Sequence, residues 1–198
     1  MRYPDSHKDE TRAKVVKAAA AAVRAKGPDG VGVAEIMKEV GLTHGGFYAH
    51  FPSKEALVAA AIEEAFGQSR RRFARMTEGM SSNEALTAFV DAYVSADHRN
   101  NPQRGCPIST LSNDLPRQGP LVRTAFDTGV ANLIARLEGW LPEQEPSARR
   151  SLASSLMAEM AGAVALARAV SDETLAEQLL DASRARIKAR ARLTGAAS

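Results

Sequence analysis

Residues 33–57 read VAEIMKEVGLTHGGFYAHFPSKEAL. Val33, Ile36, Met37 and Val40 recur at the spacing of one helical face. Gly41 then ends that helix, because a residue without a Cβ takes the left-handed conformation at no steric cost. Thr43 is placed to cap the next helix with its hydroxyl. That helix, about residues 43–50, turns Phe47 and Phe51 inward at i and i+4. Thr43, His44, Tyr48 and His50 remain on its outer face. Ser53 is the expected cap of a further helix, with Glu55 favourably placed in its first turn. A helix, a short turn containing glycine and a second helix form a helix-turn-helix, which sets its second helix in the major groove of DNA.

Upstream, a helix is expected over about residues 6–26, with Val15, Ala18, Ala19, Ala22 and Val23 as its apolar stripe. Ser6 and Asp9 resemble a capping box, and Gly27-Pro28 ends the helix. Lys8, Arg12, Lys14, Lys17, Arg24 and Lys26 crowd this helix beside the helix-turn-helix. Two further basic clusters, Arg70 to Arg72 with Arg75 and Arg184 to Arg192, read as solvated helix faces.

The spelling GLTHGGFYAHFPSKEAL is similar to the recognition-helix region of the tetracycline-repressor (TetR) family of bacterial transcription regulators. Gly41, Thr43, Gly45, Tyr48, His50, Phe51, Ser53, Lys54, Glu55 and Leu57 carry the resemblance, which covers about the first sixty residues. Beyond them only length and helical layout resemble the family. The resemblance implies a homodimeric repressor that binds a palindromic double-stranded DNA operator and is released by a small-molecule or electrophile effector. Thr43, Tyr48 and Lys54 stand at the family's phosphate-contacting positions. Family members often carry Ser or Thr where Gly32 stands, so one phosphate contact departs from the pattern.

Chemistry agrees with these roles. The Tyr48 hydroxyl can reach a phosphate, and a helix N-terminus at Thr43 or Lys54 favours an anion. His44 and Ala49, with His50 beside them, are the expected base readers: an imidazole donor for guanine N7 and a methyl for thymine. Gly45 and Gly46 each cost a helix about 1 kcal/mol relative to Ala. Close approach of the backbone to DNA explains that cost, and so does crowding against a neighbouring helix.

The 198 residues are 44% hydrophobic and 25% charged, an ordinary globular balance, with a formal net charge of +3 compatible with a nucleic-acid partner. Sparse aromatics and abundant Ala favour packed helices over a β-sandwich. No run approaches eighteen uninterrupted apolar residues, and the start, MRYPDSHKDETR, is not a signal peptide, so a cytoplasmic protein without a membrane partner is expected. No metal site and no cofactor are expected. The fold class expected is all-α with about nine helices: an N-terminal three-helix DNA-binding domain over residues 1–52 and a C-terminal helical bundle for effector binding and dimerisation over 53–198.

Within that bundle, helices are expected over about residues 53–76, 84–96, 107–115, 121–141, 147–170 and 172–193, and HRNNPQRGCP, residues 98–107, reads as a loop. Leu156, Met160, Ala163, Val164 and Ala167 either face a partner, as the resemblance implies, or close the chain's own core. Phe89, Tyr93, Phe126, Trp140, Met157 and Met160 are the expected effector-pocket lining, with plain core as the alternative. Cys106, the single cysteine, stands at an expected helix N-terminus beside Arg104, after loop residues that suggest access. Those conditions favour a thiolate sensor; the alternative is a small packed residue. Two other function classes are open: a cysteine-dependent enzyme using Cys106 with His98 as base, and a non-specific DNA-binding protein.

Overall fold

The computed structural model describes residues 5–142 and 145–192. The side chain of Ser6, the expected cap, lies outside what is described, and the helix expected to end near residue 193 ends at Arg190. All regular structure among the described residues is helical. The α-helices are α1 (Asp5–Lys26), α2 (Val33–Glu39), α3 (Lys54–Met76), α4 (Ser82–Tyr93), α5 (Ala96–Asn100), α6 (Pro107–Leu111), α7 (Pro120–Trp140), α8 (Pro146–Ala169) and α9 (Glu173–Arg190). Three 3-10 helices join them at His44–Ala49, Pro102–Arg104 and Leu115–Arg117.

Packing divides the chain into two compact units, and neither is continuous in sequence. One joins Met1–Ser69 to Cys106–Gly129; the other joins Arg70–Gly105 to Val130–Ser198.

In the first unit, α1 buries Val15, Val16, Ala19, Ala20 and Val23 against α2 and α6. Helix α1 stops at Gly27, whose φ of +74° ends the helix while its N–H still reaches the Val23 carbonyl at 2.9 Å. Gly41, at φ +77°, ends α2 in the same way, and the Leu42 N–H returns to the Met37 carbonyl at 2.8 Å. Ser53 caps α3 by accepting the Ala56 N–H at 3.1 Å. Distant residues complete the unit: Gln118 Nε2 donates to Asp29 Oδ1 at 3.0 Å, and Phe66 meets Phe126 edge-on with ring centroids 5.7 Å apart.

Gly129 sits against that aromatic pair. A Cβ there would come within 2.1 Å of Phe66 Cδ2, so the whole ring would have to move. Gly139, further along α7, has nothing within 4 Å of its Cβ position. Gly129→Ala is therefore expected to destabilise by about 1–3 kcal/mol through overpacking, and Gly139→Ala to stabilise by about 0.5–1 kcal/mol through helix propensity. Thermal unfolding of the two variants should shift in opposite directions.

The second unit is built around α8 and α9, which pair along their length. Phe89 is the hub of an aromatic cluster, its ring tilted against Phe73 at 4.5 Å and against Tyr93 and Trp140 at 5.6 Å each. Helix α9 is tied to α4 by Lys188 Nζ, 2.6 Å from Asp91 Oδ1. Helix α8 is apolar enough over eighteen residues to pass for a membrane span (mean hydropathy 1.2), yet it buries Leu156, Met157, Met160 and Val164 inside this unit.

One expectation is corrected here and one open alternative is decided. Residues 98–107 are not a bare loop but α5, a 3-10 turn and the start of α6. Ser95 caps α5 by accepting the His98 N–H at 3.1 Å, and Arg168 of α8 donates to the His98 and Arg99 carbonyls, both at 3.0 Å. A capped start and a satisfied end sustain a helix of five residues. Secondly, Leu156, Met160, Ala163, Val164 and Ala167 close the unit's own core, each at most 5% exposed. The larger side chains of α8 gain more by burial within the chain. What they leave outside is a face of Ser151, Ser155, Ala158, Gly162 and Leu166, with Leu166 57% exposed.

Candidate nucleic-acid interface

The expected recognition helix is a 3-10 helix, His44–Ala49, following Thr43. Its i+3 bonds run from the Gly46 N–H to the Thr43 carbonyl (3.1 Å) and from the His50 N–H to the Phe47 carbonyl (2.9 Å). Phe47 and Phe51 anchor it from beneath, 2% and 1% exposed, with rings stacked 5.7 Å apart. Arg12 of α1 covers Phe51, its guanidinium carbon 4.9 Å from the ring centroid. Sequence reading placed Arg12 among surface charges and missed this contact, which only the tertiary packing of α1 creates.

Above this base, Thr43, His44, Gly45, Tyr48 and Ala49 are exposed. Tyr48 is 69% exposed, resting edge-on against Phe47 at 5.2 Å, so its hydroxyl end is presented outward. A Cβ at Gly45 would meet nothing within 4 Å, and one at Gly46 would make only ordinary contacts, 3.7 Å to Thr43 Oγ1 and 3.8 Å to Met37 Cε. Crowding by a neighbouring helix therefore does not account for either glycine. Lys54, exposed at the start of α3, donates from Nζ to the Asp29 carbonyl at 3.0 Å.

Thr43, His50 and the basic residues of α1 depart from their expected roles. The Thr43 hydroxyl makes no capping bond, since in the tighter 3-10 turn its main-chain carbonyl takes the Gly46 N–H instead. His50 is half-buried rather than outward, and its Nδ1 is buried without a hydrogen-bond partner among the described residues. The basic residues of α1 do not form one surface: Arg24 is 5% exposed and bonds Gln68 Oε1 at 2.7 Å, while Lys26 pairs with Glu35 at 2.5 Å. Lys8, Lys14 and Lys17 remain exposed. Gly32 begins α2 with extended backbone (φ −88°, ψ 114°) and no side-chain cap, as its lack of a side chain requires.

The residues expected to sense an effector are mostly interior. Cys106 is fully buried, so the accessible thiol anticipated from its loop does not exist; the Ser109 hydroxyl donates to its carbonyl at 3.1 Å. Phe89, Tyr93, Met157 and Met160 are each at most 2% exposed within the second unit, whereas Phe126 packs on Phe66 in the first. Trp140 borders a cleft of about 520 Å³ with Ser82, Asn83, Leu141, Pro142, Ala191 and Arg192. His98 is buried, its Nδ1 2.6 Å from the Tyr93 carbonyl. Burial pushes its pKa down to about 4, so it is neutral at pH 7.

Residues 15–61, which span α1 to the first turns of α3, match the family model for bacterial regulatory proteins of the tetR family. The chain is 25% identical over 114 residues to the HTH-type transcriptional repressor NemR of Escherichia coli K12, covering 57% of each protein. It is 28% identical over 127 residues to the HTH-type transcriptional regulator LmrA of Bacillus subtilis, covering 63% of this chain and 65% of LmrA. The matches thus span somewhat over half the length of these curated relatives. A TetR transcriptional regulator from Chloroflexus aurantiacus has the same fold at a TM-score of 0.75 and 28% identity, over 92% of this chain and 96% of that one. The reduced form of E. coli NemR shares the fold at a TM-score of 0.76 and 22% identity, over 91% and 96%. With the helix-turn-helix geometry and the family model agreeing on the same residues, residues 15–61 form a DNA-binding domain of the tetR family of bacterial regulatory proteins, on a chain that shares the fold of TetR regulators.

Proposed function

We propose that this protein is a transcriptional repressor that binds a palindromic operator as a homodimer and leaves it when a small molecule binds. The observation that carries the reading is the His44–Ala49 turn. It combines an exposed Tyr48 with two glycines whose Cβ positions are open. A surface without side chains lets the backbone approach the DNA. Tyr48, Thr43 and Lys54 supply phosphate contacts that set register, and His44 and Ala49 read base edges. Release of Lys54 from the Asp29 carbonyl frees its ammonium for a phosphate.

The uncovered face of α8, with Leu175 of α9, supports assembly with a second copy. Ser151, Ser155, Ala158 and Gly162 are small enough for two such helices to approach closely. A Cβ at Gly162 meets nothing within 4 Å, so Gly162→Trp is expected to leave the chain folded and to block the dimer. Sedimentation of the variant as a monomer with unchanged helical content is the expected result; an unaltered dimer would move the interface elsewhere.

An enzyme reading built on Cys106 and His98 does not hold, since the thiol is buried, His98 is held by the Tyr93 carbonyl, and the TetR family regulates transcription. Burial of Cys106 equally favours a reversibly bound effector over direct attack of an electrophile on the thiol.

The test is fluorescence anisotropy on the DNA flanking the protein's own gene, across salt concentrations and against unrelated DNA. Tight binding with two protomers per site is expected. Tyr48→Phe should weaken all sequences alike, by roughly tenfold as expected for one hydrogen bond to a charged group, with the salt dependence unchanged because the hydroxyl carries no charge, whereas Lys54→Gln should flatten it. Gly45→Ala should keep the fold and weaken binding. Equal affinity for every sequence would favour a non-specific DNA-binding protein.

A further inference from the structure

The second unit holds a pocket of about 250 Å³ lined by Arg72, Asp97, His98, Asn101, Arg104 and Gly105. Arg72 comes from the last turns of α3, Asp97 and His98 from α5, and the rest from the 3-10 turn that follows. The walls are set by their own hydrogen bonds. Arg72 Nη1 donates to the Arg104 carbonyl at 2.9 Å, and Arg104 Nη2 to Asn101 Oδ1 at 3.1 Å. Asn101 Nδ2 donates to the Asp97 carbonyl and to Asp97 Oδ1, both at 2.9 Å, so the Asp97 carboxylate is engaged by a neutral amide.

Among the described residues neither Arg72 nor Arg104 forms an ion pair, whereas Arg99, Arg150, Arg184 and Arg190 of the same unit each pair with a carboxylate. Each guanidinium has five N–H groups, and one from each is committed within the pocket. Two guanidinium groups against one carboxylate leave the pocket with a net positive charge, since the neighbouring imidazole is neutral at pH 7. Such a site attracts an oxyanion, and planar N–H forks match the geometry of carboxylate and phosphate oxygens. The volume is below the roughly 300–1,000 Å³ of drug-sized ligand pockets, which limits the occupant to a small molecule.

We propose that this pocket binds a small molecule through its carboxylate or phosphate group, with Arg72 and Arg104 holding the oxyanion and Asn101 and Asp97 fixing the wall beside it. Asp97 faces the same space and opposes a second negative charge on the ligand, while it accepts a hydrogen bond from a hydroxyl. A singly charged hydroxy acid therefore suits the site better than a polyanion.

The test is calorimetric titration of the full chain, without DNA, with sodium acetate, sodium lactate and inorganic phosphate in turn at constant ionic strength. Saturable binding of one ligand per chain is expected, with lactate tighter than acetate. Arg104→Gln, at an exposed position, and Arg72→Gln should each weaken it by roughly ten- to a hundredfold, the loss of a charge-assisted hydrogen bond. Arg150→Gln, away from the pocket, should leave it unchanged. Absence of saturation by all three probes, or binding indifferent to both pocket variants, would overturn the site. Because DNA takes no part in the measurement, failure here leaves the repressor reading intact. Binding that leaves operator affinity unchanged would keep the site and remove it as the effector switch.

Discussion

Phe51→Ala is expected to lower the stability of the chain by about 3–5 kcal/mol and to abolish specific DNA binding with it. Phe51 is 1% exposed, stacks on Phe47 at 5.7 Å and is covered by Arg12 at 4.9 Å. Truncation removes a ring from the base of the recognition turn and leaves a cavity that α1, α2 and α3 cannot fill without moving. Six residues of 3-10 helix have poor intrinsic stability, so their conformation depends on this anchor. Against a typical domain stability of about 5–15 kcal/mol, such a loss shows plainly in urea unfolding. The Tyr48→Phe protein is the contrasting case: it should unfold with the parent and differ only on DNA. A Phe51→Ala protein of parental stability would mean that the aromatic pair does not support the turn.

Acid is expected to destabilise the second unit through His98. The imidazole is buried, which holds its pKa at about 4 against an ordinary 6.5; the nearby positive charges of Arg168 and Arg72 push the same way, and the hydrogen bond to the Tyr93 carbonyl and the charge of Asp97 resist. Above pH 6.5 both folded and unfolded chains carry a neutral imidazole, and the contribution to stability is complete. Between 6.5 and about 4 the unfolded chain takes up a proton that the folded chain refuses, so stability falls as pH falls. A gap of this size corresponds to about 3 kcal/mol, and the loss levels off below pH 4. His98→Asn retains a side-chain N–H near the Tyr93 carbonyl and removes the titration. Its unfolding free energy should lose about one proton's worth of pH dependence across that window compared with the parent. Parallel pH profiles for the two proteins would show that His98 titrates normally.

The helix-turn-helix was legible because its determinants are local. Gly27 and Gly41 stop helices by their positive φ, Ser53 caps the next one, and Phe47 and Phe51 share a face within one turn. Exposure of Tyr48 followed from the same periodicity. The details that escaped depend on packing between distant residues. Helix α8 has Ala, Ser or Gly on nearly every side, so its hydrophobic period is weak, and which face turns inward was decided by Leu156, Met160 and Val164 finding partners inside the unit. Helix α5 exists because Arg168, some seventy positions away, satisfies its last carbonyls. Arg24 and Cys106 read as surface and accessible residues by composition, and tertiary contacts bury both. At the candidate site the exposure of Thr43, His44, Gly45, Tyr48 and Ala49 was legible, while the 3-10 geometry that removes Thr43 from capping was not.

The first unit gathers residues from either side of a stretch it does not contain, Arg70–Gly105. During synthesis, α1, α2 and the recognition turn leave the ribosome well before α6 and the first turns of α7. At roughly 5–20 residues per second, the nascent helix-turn-helix waits several seconds for the segments that cover α1. Through that interval the apolar side of α1, including Val15 and Ala19, lacks part of its cover. A message truncated after α3 yields a chain caught permanently in that interval, and it meets the chaperones and proteases of the cell rather than DNA.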